Sequence, residues 1–239
     1  MKAQFLGKDW KFLAEKYILR KHPVFEPEVR LALKGFSGDL AVDVGANMGV
    51  HTRLMSKRFR AVIAIEPNPN VLPILVRRVP SNVTIVKAAL SDKEGSTMFY
   101  IDPHPMSGSS AETILPTFKY NPSPPRKGWP SGTAHTFQGG SGILVTTTTY
   151  DAVMQGRSAD LVLIDVEGAE FLVLEGMKES ISRGQVKAIL VELHDVDRRT
   201  ELEETLSGYQ LRWIDPDHIL AQQTKFDNAG DGNVSLKIQ

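Results

Sequence analysis

The chain has 239 residues, 28 basic and 28 acidic side chains, and no cysteine. That length fits one large α/β domain with additions better than two full domains, and the cancelled charge supplies no global field for nucleic acid or an anionic membrane. The absent thiol excludes disulfides, a cysteine nucleophile and zinc–thiolate sites.

In chain order, the stretch "MKAQFLGKDWKFLAEKYILRKH" sets Trp10, Leu13, Tyr17 and Leu19 among charged residues. This predicts an amphipathic helix packed on the domain, with residues 1–39 as a helical extension. Asp9 and Glu15 interrupt its basic face, which weighs against a helix lying on a membrane surface. No apolar run approaches the roughly 20 residues of a membrane span, so a soluble, cytoplasmic protein is expected.

From residue 40 to 239 the pattern is that of one domain. "LAVDV" (40–44), "AVIAIE" (61–66), "NVTIVKAAL" (82–90), "ADLVLIDV" (159–166) and "VKAILVEL" (186–193) read as strands, several apolar throughout as in a parallel sheet covered on both faces. Helices are predicted over 50–59, 70–79, 169–177 and 201–207. The alternation implies a Rossmann-like doubly wound sheet. At the end, "QLRWI" and "NVSLKI" around a polar turn predict an antiparallel hairpin on the sheet edge. Residues 102–142 hold 7 of the 14 prolines, together with Phe118, Tyr120, Trp129 and Phe137. They read as a long inserted loop, either a lid over a ligand or an insertion without function.

The segment "AVDVGANMGVHT" (41–52) is the first strand, turn and helix, where such sheets bind ligands on backbone amides. Gly45 and Gly49 suit the turn, but the middle glycine of a dinucleotide fingerprint is replaced by Asn47, and Asp43 would repel a pyrophosphate. An acid there favours a cationic ligand. S-adenosylmethionine fits, with its ammonium, its sulfonium, a carboxylate for the turn amides and a ribose. Asp43, Gly45, Ala46, Asn47, Gly49 and Thr52 are the candidate contacts, and Glu66, 21 residues after Gly45, has the spacing of a ribose-binding acid. Ser91 and Asp92, in the loop after the third strand, would edge the adenine or else merely build a turn. Asp43 also has the simpler reading of a turn-stabilising or capping residue, and His51 that of a packed or surface imidazole.

A second constellation lies in "LIDVEGAEFLVLEGM" (163–177) and "VELHD" (191–195). Asp165 and Glu167 stand two apart at a strand end, as do Glu192 and His194, with Glu170 opening the next helix. One acid at a helix start needs only the dipole to explain it. Three exceed that need, and these five side chains are expected around one pocket, with Asp165 beside the cofactor.

In order, "VDVGANMGVHT", "AIEPNP", "NVTIVKAALSDKEG", "TTTTYDAV", "LVLIDVEGAEFLVLEGM" and "ILVELH" resemble the FkbM family of S-adenosylmethionine-dependent methyltransferases over residues 40–195. The resemblance implies the class I methyltransferase fold, and O-methylation of a hydroxyl on a sugar, glycan or secondary metabolite. No motif of the family falls in the proline-rich segment. On this reading the acceptor oxygen attacks the sulfonium methyl in line. His194, Glu167 or Glu192 would take the proton, His194 being preferred because an ordinary imidazole titrates near neutrality. Asp165, Glu167, Glu192 and His194 are also compatible with a divalent magnesium, manganese or calcium ion, although no spacing demands one. The rivals are an N- or RNA-methyltransferase with the same cofactor half, a nicotinamide-dependent reductase, and a non-catalytic S-adenosylmethionine-binding module. Balanced charge weighs against RNA.

Overall fold

A computed structural model describes residues 26–100, 110–111 and 142–224. The predicted N-terminal amphipathic helix, the interior of the proline-rich loop and the "NVSLKI" strand lie outside them. The first described element, α1 (Pro27–Lys34), begins with a proline whose fixed φ suits a first helical position, and it buries Val29 and Leu33, four residues apart on one face.

Seven strands form the main sheet: β1 (Gly38–Val44), β2 (Phe59–Ile65), β3 (Val83–Val86), β8 (Leu161–Ile164), β9 (Ala188–Glu192), β10 (Gln210–Trp213) and β11 (His218–Gln222). Their order is β10-β11-β9-β8-β1-β2-β3. The five strands from β9 to β3 run parallel, while β11 is antiparallel to both β9 and β10. The winding reverses at β1, which has β2 on one side and β8 on the other.

Helices cover both faces: α2 (Val50–Met55), α3 (Leu72–Arg78), α4 (Tyr150–Met154), α5 (Glu170–Glu175), α6 (Lys178–Ser182) and α7 (Arg199–Thr205). Alternate strand residues therefore enter two different cores. Val42, Val44, Ile63, Ile65, Val162, Ile164, Ile189 and Val191 pack on one face. Ala41, Val62, Leu161, Leu163, Leu190 and Leu220 pack on the other, with Val29 and Leu33 of α1. Burial on both faces is why β8 and β9 read as unbroken apolar runs.

Three expectations are corrected. The stretch 82–90 is two strands: β3 stays in the main sheet, whereas β4 (Ala89–Leu90) leaves it to pair in parallel with β7 (Gly142–Thr148). With β5 (Gly95–Tyr100) and β6 (Ser110–Ala111) these form a four-stranded second sheet that no periodicity had announced. Tyr100 pairs with Gly142, so the ladder brings the two ends of the intervening segment together. The hairpin partner of "QLRWI" is the nearer stretch "HILAQ", paired Trp213 to Ile219 and Gln210 to Gln222. The helix predicted over 50–59 ends at Met55, because Phe59 already begins β2. Among the described residues no helix is long and apolar enough to cross a membrane.

Candidate active site

Register and side-chain parity bring the acids together. Val44 pairs with Ile65 and with Ile164, and Ile164 pairs with Val191. One residue further on, Glu66, Gly45, Asp165 and Glu192 therefore form one rank along the carboxyl edge of β2, β1, β8 and β9. His218 joins it as the registered partner of Glu192. The rank lies on the face of Leu163, Leu190 and Leu220, and Asp43 sits one pair below it on that same face. Carboxyl-edge crevices at a winding reversal are where open α/β sheets hold ligands.

Gly45 occupies the centre of the rank, packed against the end of β8. Its φ is +87°, and a Cβ there would stand 1.7 Å from the Asp165 carbonyl oxygen, so only glycine allows this approach of turn to strand. The amides of Gly45 and Ala46 both donate to the Ile65 carbonyl at 3.0 Å, and that of Gly49 donates to Ala46 at 2.8 Å. Asn47, at φ +47°, donates its amide to Glu66 Oε2 at 2.7 Å, while Asn68 donates to Oε1 at 2.7 Å. Glu66 thus fastens the turn, and burial pushes its pKa up to about 7 against those two bonds. Asp43 is 2% exposed and accepts a hydrogen bond from the Thr52 hydroxyl. Burial raises its pKa as well, and the nearby His51 opposes the rise.

The other half of the crevice is a tight turn beyond β8, not a continued strand. Glu167 adopts φ +56° and Gly168 φ +104°, which swings Glu167 out and returns the chain into α5. Glu170 is 1% exposed. Its Oε1 accepts from the Gly168 amide at 2.8 Å and from His194 Nδ1 at 2.8 Å. His194 Nε2 lies 3.2 Å from Glu167 Oε2 and 3.9 Å from Asp165 Oδ1. Burial opposes a charge on His194, but Glu167 and Glu170 outweigh it and hold the pKa well above the ordinary imidazole value. Asp165 is raised well above the carboxylate range by burial, then by Glu192 and Glu167. Glu192 goes the other way. Although burial opposes its charge, His218 and His194 bring it down to about 2.

Asp165, Glu167, Glu170, Glu192 and His194 are thus neighbours, as their sequence positions led one to expect. The nearness of an ordinary imidazole to neutrality no longer distinguishes His194, since this one is held as a cation. Ser91 lies against the end of α5, where a Cβ on Gly176 would come within 2.1 Å of its carbonyl oxygen, and its hydroxyl donates to the exposed Asp92 at 3.0 Å. Sequence reasoning missed Glu26, Asp215 and His218. Glu26 precedes α1 with φ +44° and accepts from His51 Nε2 at 2.9 Å. His218 opens β11, and its Nδ1 lies 2.8 and 2.9 Å from the two Asp215 oxygens. Neither residue belongs to a spaced motif, so only the register reveals them.

Residues 43–220 match the family model described as the methyltransferase FkbM domain. The chain belongs to the FkbM methyltransferase family. No curated protein sequence matches this FkbM-family chain. Among solved structures it is similar to the methyltransferase FkbM of Methylobacillus flagellatus, at 18% identity and TM-score 0.50 over 78% of this chain and 44% of that one. It therefore spans less than half the length of that relative. It is also similar to the precorrin-6y C5,15-methyltransferase of Geobacter metallireducens, at 16% identity, TM-score 0.47, and coverage of 85% and 92%. A third is the N-methyltransferase NodS of Bradyrhizobium japonicum in complex with S-adenosyl-l-homocysteine, at 11% identity, TM-score 0.42, and coverage of 86% and 89%. The mostly parallel Rossmann-like sheet is that of the class I methyltransferases.

Proposed function

We propose that this protein transfers the methyl group of S-adenosylmethionine to a hydroxyl oxygen of a sugar, glycan or hydroxylated metabolite. The observation that carries the reading is the rank of acids around Gly45. Asp43 and Glu66 are buried with raised pKa values, so a ligand that brings positive charge and hydroxyl donors relieves the burial of both. A pyrophosphate finds the opposite, two buried acids; the amides of Gly45, Ala46, Asn47 and Gly49 are already engaged, so the expected contact of these amides with the carboxylate of S-adenosylmethionine is not made either. The ammonium is assigned to the Asp43 side, and the ribose hydroxyls to the two lone-pair positions left on Glu66.

In the reaction the acceptor oxygen forms a bond to the methyl carbon as the carbon–sulfur bond breaks, and a neutral thioether leaves. The hydroxyl proton must go to a base. Glu170 fixes the ring of His194 with Nε2 toward Asp165 and Glu167, and neutral His194 takes the proton there. Glu167, the most exposed member, tunes when His194 becomes neutral. Glu192, brought down to about 2 by His218 and His194, is a poor proton acceptor.

The test is incubation of the protein with S-adenosylmethionine and a panel of sugars, glycans and hydroxylated metabolites, following S-adenosylhomocysteine and the mass of each acceptor. The reading expects a gain of one methyl on oxygen in a member of the panel, lost in His194→Ala. Methylated amine or RNA instead would establish the rival acceptors, and binding without turnover on any acceptor would establish a non-catalytic module.

A further inference from the structure

The carboxyl edge holds a second cluster that methyl transfer does not use. Glu192 and His218 face each other across β9 and β11, and Glu26 reaches them from the residue before α1. One ligand atom from each of Glu26, Glu192 and His218 lies within 4.8 Å of the others. Two of the three are not simply acids on a surface. His218 is 1% exposed, and its Nδ1 is committed to Asp215, itself fixed by accepting from the amides of Asp217 and His218, both at 2.9 Å. A carboxylate behind Nδ1 places the ring proton there and leaves the Nε2 lone pair pointing forward, the arrangement that metal-ligating histidines use.

That forward atom is buried and has no hydrogen-bond partner among the described residues. Glu192 Oε2 stands 3.4 Å from it, beyond the roughly 2.9 Å of an ordinary hydrogen bond. A nitrogen and an oxygen that share one tetrahedral cation, each about 2.0–2.1 Å from it, are about 3.3–3.4 Å apart. The spacing therefore suits a shared ion better than a direct bond.

We propose that Glu26, Glu192 and His218 bind one divalent transition-metal cation of the zinc class, with Asp215 orienting the imidazole. An imidazole in the donor set selects this class over magnesium and calcium, which favour oxygen alone. The three ligands come from opposite ends of the described chain, so the ion ties the start of α1 to the sheet edge. It binds without cofactor, so its failure would leave the methyl-transfer reading untouched.

The experiment is isothermal titration of the tag-free, chelator-treated full chain with Zn²⁺, and with Mn²⁺ and Mg²⁺ as comparators, in the absence of S-adenosylmethionine, with thermal unfolding in parallel. One equivalent should bind and raise the unfolding midpoint. Glu26→Gln and Glu192→Gln should each weaken binding at least tenfold, and Asp215→Asn should do so by about 10- to 100-fold while leaving every ligand in place. Glu167→Gln, in the neighbouring cluster, should leave it unchanged. The proposal is overturned if Zn²⁺ gives no heat, if Mg²⁺ binds as tightly, or if Glu167→Gln abolishes binding while Glu26→Gln and Glu192→Gln do not.

Discussion

Replacing Glu167 by Gln should lower the pKa of His194, and the size of the drop can be worked from the contact. The carboxylate oxygen lies 3.2 Å from Nε2. At that distance a unit charge pair is worth about 1 kcal/mol with water-like screening and about 5 kcal/mol with the screening of a protein surface. The Glu167 side chain is 40% exposed, which places the effect at the lower end. With about 1.4 kcal/mol per pKa unit, His194 should titrate about 1 pH unit lower in Glu167→Gln. NMR titration of histidine-labelled protein reads this without an acceptor, with His194→Gln assigning the resonance. In the wild type the midpoint should lie above the ordinary 6.5. The sign for stability follows. A raised histidine stabilises the fold fully below the unfolded value, and that contribution is lost as pH rises through the folded one. Turnover needs the neutral ring, so its rise with pH should follow the same midpoint and move down with it in the variant. A wild-type midpoint at or below 6.5, or one unmoved by Glu167→Gln, would refute the reasoning.

Two further changes probe the turn. Glu66 moves from 4.5 to about 7 on folding, so its charge costs nothing below pH 4.5 and about 3 kcal/mol above pH 7. Glu66→Gln removes that cost but forfeits one of two amide bonds, worth about 1 kcal/mol. Urea unfolding should show it more stable than wild type by about 1–2 kcal/mol at pH 8 and less stable at pH 4, and an equal change at both pH values would contradict the assignment. Gly45→Ala should cost about 3 kcal/mol or more, from a left-handed φ plus a backbone collision at 1.7 Å, whereas Gly49→Ala meets the movable Leu75 Cδ1 at 2.7 Å and should cost less. Thermal unfolding in which Gly45→Ala matches wild type would show that the turn is not built as described.

Much of the architecture was legible because burial on two faces leaves its mark. "LVLI" and "AILVE" read as inner strands, and Asp43, Glu66, Asp165 and Glu192 stand at or near the carboxyl ends of such strands. The stretch 82–90 misled because Lys87 and Ala88 carry the chain between sheets while the β-branched pattern runs on beneath them. The second sheet was illegible for a related reason. Its strands β5 and β7 are separated by the proline-rich segment, and only non-local pairing joins them. Likewise the polarity of Glu26 and His218 announces nothing. Their nearness arises from the register of β11 on β9 and from a left-handed residue before Pro27.

The central claim is that the crevice at Gly45 attracts a cationic amino-acid nucleoside and refuses a pyrophosphate. Isothermal titration of wild type and Asp43→Asn with S-adenosylmethionine and with NAD tests it most directly. S-adenosylmethionine should bind the wild type and lose about 10- to 100-fold in Asp43→Asn, the equivalent of about 1.4–2.8 kcal/mol of a partly screened charge pair, while NAD gives no heat. Heat from NAD, or none from S-adenosylmethionine, would contradict it.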